Sequence, residues 1–414
     1  MKLEKYSFGI GDRFAHQGKA QLNALIKAKK AGVHIAPVWN KSFREHQTVG
    51  SNHAETKNEA DEAVKALEWE NNYYIDADHI NLSNVGQFLD HSNFFTIDVA
   101  DYIGKKAEEK DVDEFVKSNA HLKGKTDIPG IQNASQITES AIREIGEKYL
   151  YATQKAGEVY RFIADKKGAD HFVAEVSMDE TDLPQTPFEL LMILSALAHE
   201  NIPLQTLAPK FSGRFNKGID YVGDISQFEK EFEADIQVLD FAVREFDLPE
   251  NLKLSIHTGS DKFSIYPVIG KIIKKYNKGI HVKTAGTTWL AEVIGICMAR
   301  DAGLEIAKRI YRTAYNQVES LTEAYAAVID IDQNQLPEPE KVTSWSAEEF
   351  ANTLRHVPGH SQYNPHFRQL MHVSYKIAAQ LGTEYTDMLK KYQNAIASEV
   401  TENLFEGHIK RLFF

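Results

Sequence analysis

Residues 172–200 read FVAEVSMDETDLPQTPFELLMILSALAHE, and this stretch holds one complete unit of the fold. Its first five residues form an apolar, β-prone run broken only by Glu175, short enough for a buried strand. A polar connection carries Asp179 and Glu180, and Pro187 then stands where a first helical turn tolerates proline. From there to Glu200 apolar residues recur at i, i+3, i+4 and i+7, the spacing of one helix face. A strand followed by such a helix is half of a parallel crossover, and the rest of the chain repeats it.

Further candidate strands lie at 6–10, 34–38, 73–75, 204–207, 253–256, 279–282 and 326–331. Helical stretches at 19–31, 59–69, 226–246 and 266–275 follow most of them. Ser226 and Glu229 stand at capping-box spacing at the start of one of these helices. Eight strands alternating with helices favour a closed TIM-type (β/α)8 barrel over an open doubly wound sheet. No G-x-G-x-x-G or phosphate-loop pattern opens any helix, so a nucleotide fold loses support. Two stretches fall outside the alternation. Residues 95–168, charged and helical, are expected as an insertion after strand three. Residues 336–414, entered through QLPEPEK at 335–341, are expected as a helical extension packing on the barrel. The catalytic unit is thus read as 1–335.

The 414 residues are 43% hydrophobic and 26% charged, enough for a sizeable core. A net charge of −12 argues against nucleic-acid or anionic-membrane partners, which attract a positive surface. A homo-oligomer stays open. The single cysteine, Cys297, lies in the apolar run VIGICMA and excludes an internal disulfide framework. The first residues, MKLEKYSFGIGDRFAHQ, contain no apolar leader core, and no segment reaches about 18 consecutive apolar residues. A soluble, cytoplasmic protein is expected.

In a parallel barrel the carboxyl ends of the strands share one mouth. Charged or metal-competent residues follow nearly every candidate strand: Asp12 and Arg13; Lys41 and Arg44; Asp76, Asp78 and His79; Glu175, Asp179 and Glu180; Lys210 and Arg214; His257, Asp261 and Lys262; His281 and Lys283. His79, His257 and His281 with a carboxylate such as Asp224, in YVGDIS, could surround a divalent ion. Nitrogen and oxygen ligands of this kind suit zinc, manganese, iron, nickel or cobalt. Lys41, Arg44, Lys210, Arg214, Lys262 and Lys283 supply the cations an anionic substrate requires on an acidic protein. Asp78, Glu175 and Glu180 are candidate acid and base groups, since proton movement on a bound sugar needs both.

Several blocks resemble the bacterial tagaturonate epimerase family: SFGIGDRF (7–14), IDADHINL (75–82), FVAEVSMDETDLPQTPFE (172–189), APKFSGRFNKGIDYVGD (208–224), SIHTGSDKFSIYPVIGK (255–271), HVKTAGTTWLAE (281–292) and NPHFRQLMHVSYKIAA (364–379). The resemblance runs over roughly 6–90 and 170–380. It implies a divalent-metal-dependent enzyme interconverting D-tagaturonate and D-fructuronate in hexuronate catabolism. By the same resemblance Asp78 is the proton acceptor beside a metal ligand, His79. His257 is then a second ligand, Asp224 a third, and the acid lies in EVSMDETD, with Glu180 preferred over Glu175. Asp76 is left without a role beyond orienting its neighbours.

The two uronates differ at a carbinol carbon next to the ketone's α-carbon, whose hydrogen is not acidic. Simple deprotonation cannot invert it. Retro-aldol cleavage, rotation of the aldehyde and re-closure can, with a base on the hydroxyl and a metal as Lewis acid. Transient oxidation would need a nicotinamide fingerprint, which the sequence lacks. The alternatives are a metal-dependent ketose isomerase or class II aldolase using the same rim, and a non-catalytic sugar-acid binding protein. His356, His360, His366 and His372, in RHVPGHSQYNPHFRQLMHVSYK, are candidates for contact from the C-terminal extension.

Overall fold

In the computed structural model, eight parallel strands close into a barrel in simple chain order. They are β1 (Tyr6–Gly11), β2 (Ala36–Ser42), β3 (Tyr74–Ile80), β4 (Phe94–Asp98), β5 (Val173–Ser177), β6 (Thr206–Ala208), β7 (Lys253–His257) and β8 (Ile280–Lys283). All residues but 126, 132–136, 182 and 285 are described, together with every side chain among them except that of residue 324. The barrel closes where Ser7 of β1 pairs with His281 of β8. Among the described residues no helix is long and apolar enough to cross a membrane.

The TIM-type barrel and the helical C-terminal end are as expected, but one strand is exchanged. Residues 326–331 form turn and coil, and the missing strand is β4, inside the stretch expected as an insertion. The helices Glu109–Ser118 and Glu139–Lys167 therefore follow strand four, not strand three; residues 126 and 132–136 of that stretch lie outside the described set. The physical reason is the connection between β3 and β4, which carries only the short 3-10 turn Val85–Gln87 and no crossover helix. The run at 326–331 is apolar for another reason: Ala327 and Val328 close over the barrel mouth and line its cavity.

Alternation along the strands divides the residues cleanly. Phe8, Ile10, Trp39, Ile75, Ala77, Phe95, Ile97, Ala174, Val176, Leu254, Ile256, Ile280 and Val282 point outward into the main core between sheet and helices. Leu3, Ala36, Val38, Tyr74, Phe94 and Val173 form a separate apolar cluster that plugs the bottom of the barrel. Two residues further along each strand the interior turns polar. Asp76, Thr96, Glu175 and Lys283 form that next layer, all buried.

The C-terminal segment packs on this frame. Its helix Gln393–Glu402 lies against Thr287–Met298 and Gly18–Lys30, and Lys410–Phe413 lies against Tyr266–Lys275. The helix Pro365–Val373, capped by the Asn364 side chain, reaches the mouth itself.

Candidate active site

A cavity of about 660 Å³ opens at the carboxyl ends of the strands. Its floor is built by the polar layer and by the strand ends above it. Lys283 rises from β8 and spans the barrel axis: its Nζ lies 2.7 Å from Asp76 Oδ2, 2.7 Å from Asp78 Oδ1 and 3.2 Å from Glu175 Oε1. It also donates to Thr96 Oγ1, which in turn donates to Asp76 at 3.0 Å. A lysine 3% exposed is costly to bury, and three carboxylates around it offset that cost.

Gly9 on β1 leaves the lane through which this lysine passes. A Cβ there would stand 2.7 Å from Lys283 Cγ and 2.9 Å from Asn40 Nδ2. Gly9→Ala should therefore push the lysine off its carboxylates, lowering stability by about 1–3 kcal/mol, as overpacking does, with turnover falling at least about tenfold. Denaturant unfolding and kcat on the purified variant check this, and an unchanged pair of values would contradict the packing argument.

His79 reaches the mouth by an irregularity. Asp78 and His79 are neighbours on one strand, and regular alternation would send them to opposite faces. In the pairing of β3 with β4, Ala77 faces Phe95 and Ile80 faces Ile97, so Asp78 and His79 together oppose Thr96 alone. His79 takes a left-handed backbone, φ +53°. Bulges and left-handed non-glycine residues of this kind concentrate at functional sites, where they re-aim side chains. Here the bulge brings both residues to the cavity.

Two imidazoles and a set of carboxylates converge above the lysine. The rings of His79 and His257 are 5.3 Å apart, centre to centre. His257 bonds Glu175 Oε1 through Nε2 at 2.8 Å, and its Nδ1 lies 3.1 Å from Asp179 Oδ1. That second contact is not aligned as a hydrogen bond, so Nδ1 is buried without a hydrogen-bond partner among the described residues. His79 Nδ1 lies 3.2 Å from Asp98 Oδ2. Ligand atoms of His79, Asp179 and His257 all fall within 4.8 Å of one another, as do those of His79, Asp98 and Glu180. Two imidazole nitrogens with hard carboxylate oxygens, one nitrogen orphaned, fit a borderline divalent ion.

Charge coupling here is strong. Burial alone would neutralise Asp78, but Lys283, His79 and His257 hold its carboxyl down at about 2. Burial pushes the Asp76 carboxyl up to about 7, because Lys283 only partly offsets it and Asp78 and Glu175 repel its charge. Glu175 and Asp179 stay below the ordinary carboxylate range despite burial, Glu175 through Lys283 and His257, Asp179 chiefly through His257. Burial works against a charge on His257 too, yet Asp179 and Glu175 raise it to about 9. The carboxylates thus demand positive charge at the point where the two imidazoles meet. A dication can supply it in place of protons.

The other residues singled out in the sequence fall into two groups. Arg44, Lys210, Arg214 and Glu180 line the cavity, as does Lys283. His281 does not: it sits one layer below, fully buried, its Nδ1 2.9 Å from Ser7 Oγ and its ring 5.2 Å from that of Phe94. Burial takes it down to about 3, a neutral core imidazole. Asp224 is exposed and caps the helix Ile225–Glu245, accepting from Ser226 N at 2.8 Å and Gln227 N at 3.2 Å. It replaces the capping box expected at Ser226, and it is not brought to the histidines. Lys41 donates to Arg13 O and Ser51 Oγ, and Lys262 donates to the carbonyls of Asn216 and Ile219. Both hold loops in place and stand outside the cavity wall.

Asp98, Asp179 and Thr96 enter in their place. Asp179 is legible in the sequence at the exit of β5, whereas Asp98 and Thr96 come with the unrecognised β4. The upper wall is lined by Arg13, His372, Tyr325 and Tyr375; the sequence singles out the first two but not the two tyrosines. Of the four C-terminal histidines, His372 alone faces the cavity, and Arg13 Nη1 donates to its carbonyl at 3.0 Å. His356 instead joins Arg368 and His408 around the fully buried Asp261, at 3.3, 2.6 and 3.0 Å. These groups outweigh burial and hold Asp261 well below the carboxylate range. That hub pins the C-terminal extension to the loop after β7. His360 is exposed, and His366 Nδ1 accepts from Asp332 N.

A model of the tagaturonate epimerase family matches residues 1–412. The tagaturonate/fructuronate epimerase of Thermotoga maritima is 29% identical over 98% of this chain and 79% of its own length. A glycerol-complexed crystal structure of the fructuronate-tagaturonate epimerase of Cohnella laeviribosi has a TM-score of 0.80 at 24% identity, covering 100% of this chain and 82% of that one. Its native form has a TM-score of 0.78 with the same coverage. The two structures establish the likeness of fold, and the match over nearly the whole sequence goes further: this chain belongs to the tagaturonate epimerase family, carbohydrate epimerases of the isomerase class.

Proposed function

We propose that this chain interconverts D-tagaturonate and D-fructuronate, depends on a divalent metal, and works by retro-aldol cleavage and re-closure. The observation that supports this most is the convergence of His79, His257, Asp179, Asp78 and Lys283 on the floor of one cavity. His79, Asp179 and His257 would hold the ion, with Asp98 and Glu180 in reach. The bound ion would act as Lewis acid on the ketone side of the sugar, favouring the charge that develops when the carbon–carbon bond breaks. Zinc, manganese, iron, nickel and cobalt all suit that donor set.

The protein's own groups divide the remaining work. Asp78 accepts the hydroxyl proton, with Lys283 fixing its carboxylate. Glu180, at the open side, is the acid. Glu175 is wholly enclosed and bonded to both His257 and Lys283, so it orients them and does not meet substrate. Arg44, Lys210 and Arg214 give the cavity the positive edge that a uronate carboxylate needs. The barrel of residues 1–335 carries the reaction, and 336–414 completes its mouth through the helix bearing His372.

The test uses D-fructuronate carrying deuterium on the carbon to be inverted. NMR should show D-tagaturonate forming with the label retained. Loss of the label to water would eliminate the cleavage route, and no conversion of either uronate would eliminate the activity. Treatment with a strong chelator should lower turnover at least about 100-fold, with recovery on adding one of the five metals. Undiminished activity in a protein stripped of metal would refute the dependence.

A further inference from the structure

The roof of the cavity holds a second ionisable pair that the reaction described so far does not use. Tyr325, from the turn after the helix Val318–Thr322, and Tyr375, just beyond the helix Pro365–Val373, both line the cavity. Their hydroxyls are 3.3 Å apart. Cations surround them: the Arg13 guanidinium carbon lies 3.9 Å from the Tyr375 ring centre, and Lys376 Nζ lies 4.8 Å and the Arg44 guanidinium carbon 5.6 Å from that of Tyr325. The pair is buried, at 8% and 1% exposure. Packing alone does not call for two phenols joined hydroxyl to hydroxyl among three cations at the edge of a substrate cavity.

Inversion at a carbinol carbon by bond cleavage has a geometric requirement. A base removes the hydroxyl proton, the carbon–carbon electron pair moves into an enediolate, and the carbinol carbon becomes an aldehyde. The aldehyde turns and the same electron pair re-forms the bond on its other face. The new alkoxide then points away from the base that began the step. A single proton carrier serves one epimer, so the reaction needs a second on the opposite side. Glu180, whose carboxylate gathers with His79 and Asp98, stands on the same side as Asp78 and serves proton exchange there.

We propose that Tyr325, held by Tyr375, is this second proton carrier, meeting the inverted oxygen from the roof as Asp78 meets it from the floor. This rests on the retro-aldol reading above. In one direction Asp78 takes the first proton and Tyr325 gives one to the new alkoxide. The phenolate is then re-protonated from solvent through the open mouth as the Asp78 carboxyl gives its proton up to solvent, which resets both groups. In the other direction the phenolate removes the proton and the acid form of Asp78 returns one. Burial raises the cost of a phenolate at Tyr325, but the hydrogen bond from Tyr375 and the charges of Arg13, Lys376 and Arg44 outweigh it and bring the phenol below its ordinary range. Tyr375 moves the other way, chiefly through burial. Either hydroxyl can donate across the 3.3 Å contact, and once Tyr325 is a phenolate the Tyr375 hydroxyl is the donor.

Tyr325→Phe removes one oxygen and keeps the ring. Interconversion should fall about 10²- to 10⁴-fold in both directions, while the Kd for each uronate, by calorimetry, stays within about threefold. The decisive reading is cleavage alone, followed by trapping the aldehyde fragment with hydroxylamine. The epimer whose hydroxyl faces Asp78 should still yield trapped fragment, and the other should not. Tyr375→Phe should show the same asymmetry with a smaller loss. Interconversion within about threefold of wild type, or equal loss or equal retention of trapping from both epimers, would overturn the proposal. Inactivity of the wild-type protein on both uronates would instead bring down the function on which it rests.

Discussion

His257→Gln should lose both the bound metal and at least about 10³ in kcat/KM, the equivalent of about 4 kcal/mol of transition-state stabilisation. His257 stands at the junction of the site: one ring nitrogen meets Glu175 at 2.8 Å and the other faces Asp179 at 3.1 Å. Glutamine keeps much of the volume but offers one weak amide oxygen in place of an imidazole nitrogen. The carboxylates of Glu175 and Asp179 would then face each other with less positive charge between them. His79→Ala should behave alike, since its ring supplies a ligand atom to both possible sets. Elemental analysis of the purified variants, with kinetics on the same samples, reads the two effects together. A variant that keeps its metal and works within about tenfold of wild type would remove that histidine from the site.

Lys283→Met carries the second large effect, and it falls on the fold as well as on the chemistry. The substitution preserves the length of the side chain and deletes the charge that Asp76, Asp78 and Glu175 share. Removing one partner of a buried ion cluster typically costs about 3–5 kcal/mol, because the remaining charges stay desolvated without compensation. Urea unfolding should show a loss of this size, and the folded fraction should turn over at least about 100-fold more slowly. Stability within about 0.5 kcal/mol of wild type would mean that the lysine is not neutralising these carboxylates. Comparison with Gly9→Ala is informative, because that change disturbs the position of the lysine without removing its charge.

Much of this architecture is written in local sequence. Short apolar runs followed by helix-period segments disclose seven of the eight strands, and the residues at their exits include Asp78, His79, Asp179 and His257. The two-residue spacing of Asp76 and Asp78 already places both on one face of β3. Other features depend on contacts that no window of sequence contains. β4 escapes because its crossover from β3 has no full helix, and with it go Thr96 and Asp98. His281 and Lys283 share a face of β8, yet only the registers of the barrel tell that one lies in the plug and the other in the polar layer. Asp224 resembles a ligand and serves as a helix cap, the use short acidic side chains most often find before a helix. That His79 turns toward the mouth follows from a bulge with a left-handed residue, which alternation would not predict. Tyr325 and Tyr375 meet across 50 residues, brought together by the packing of the C-terminal extension, and no spacing rule joins them.

The central claim is that a divalent ion sits where His79, His257 and Asp179 converge. Anomalous scattering from crystals loaded with manganese or zinc tests it most directly. A single strong peak within about 2.0–2.3 Å of one nitrogen from each histidine and of an Asp179 oxygen is the predicted result. A peak elsewhere in the molecule, or none in a protein that still epimerises the uronates, would contradict it.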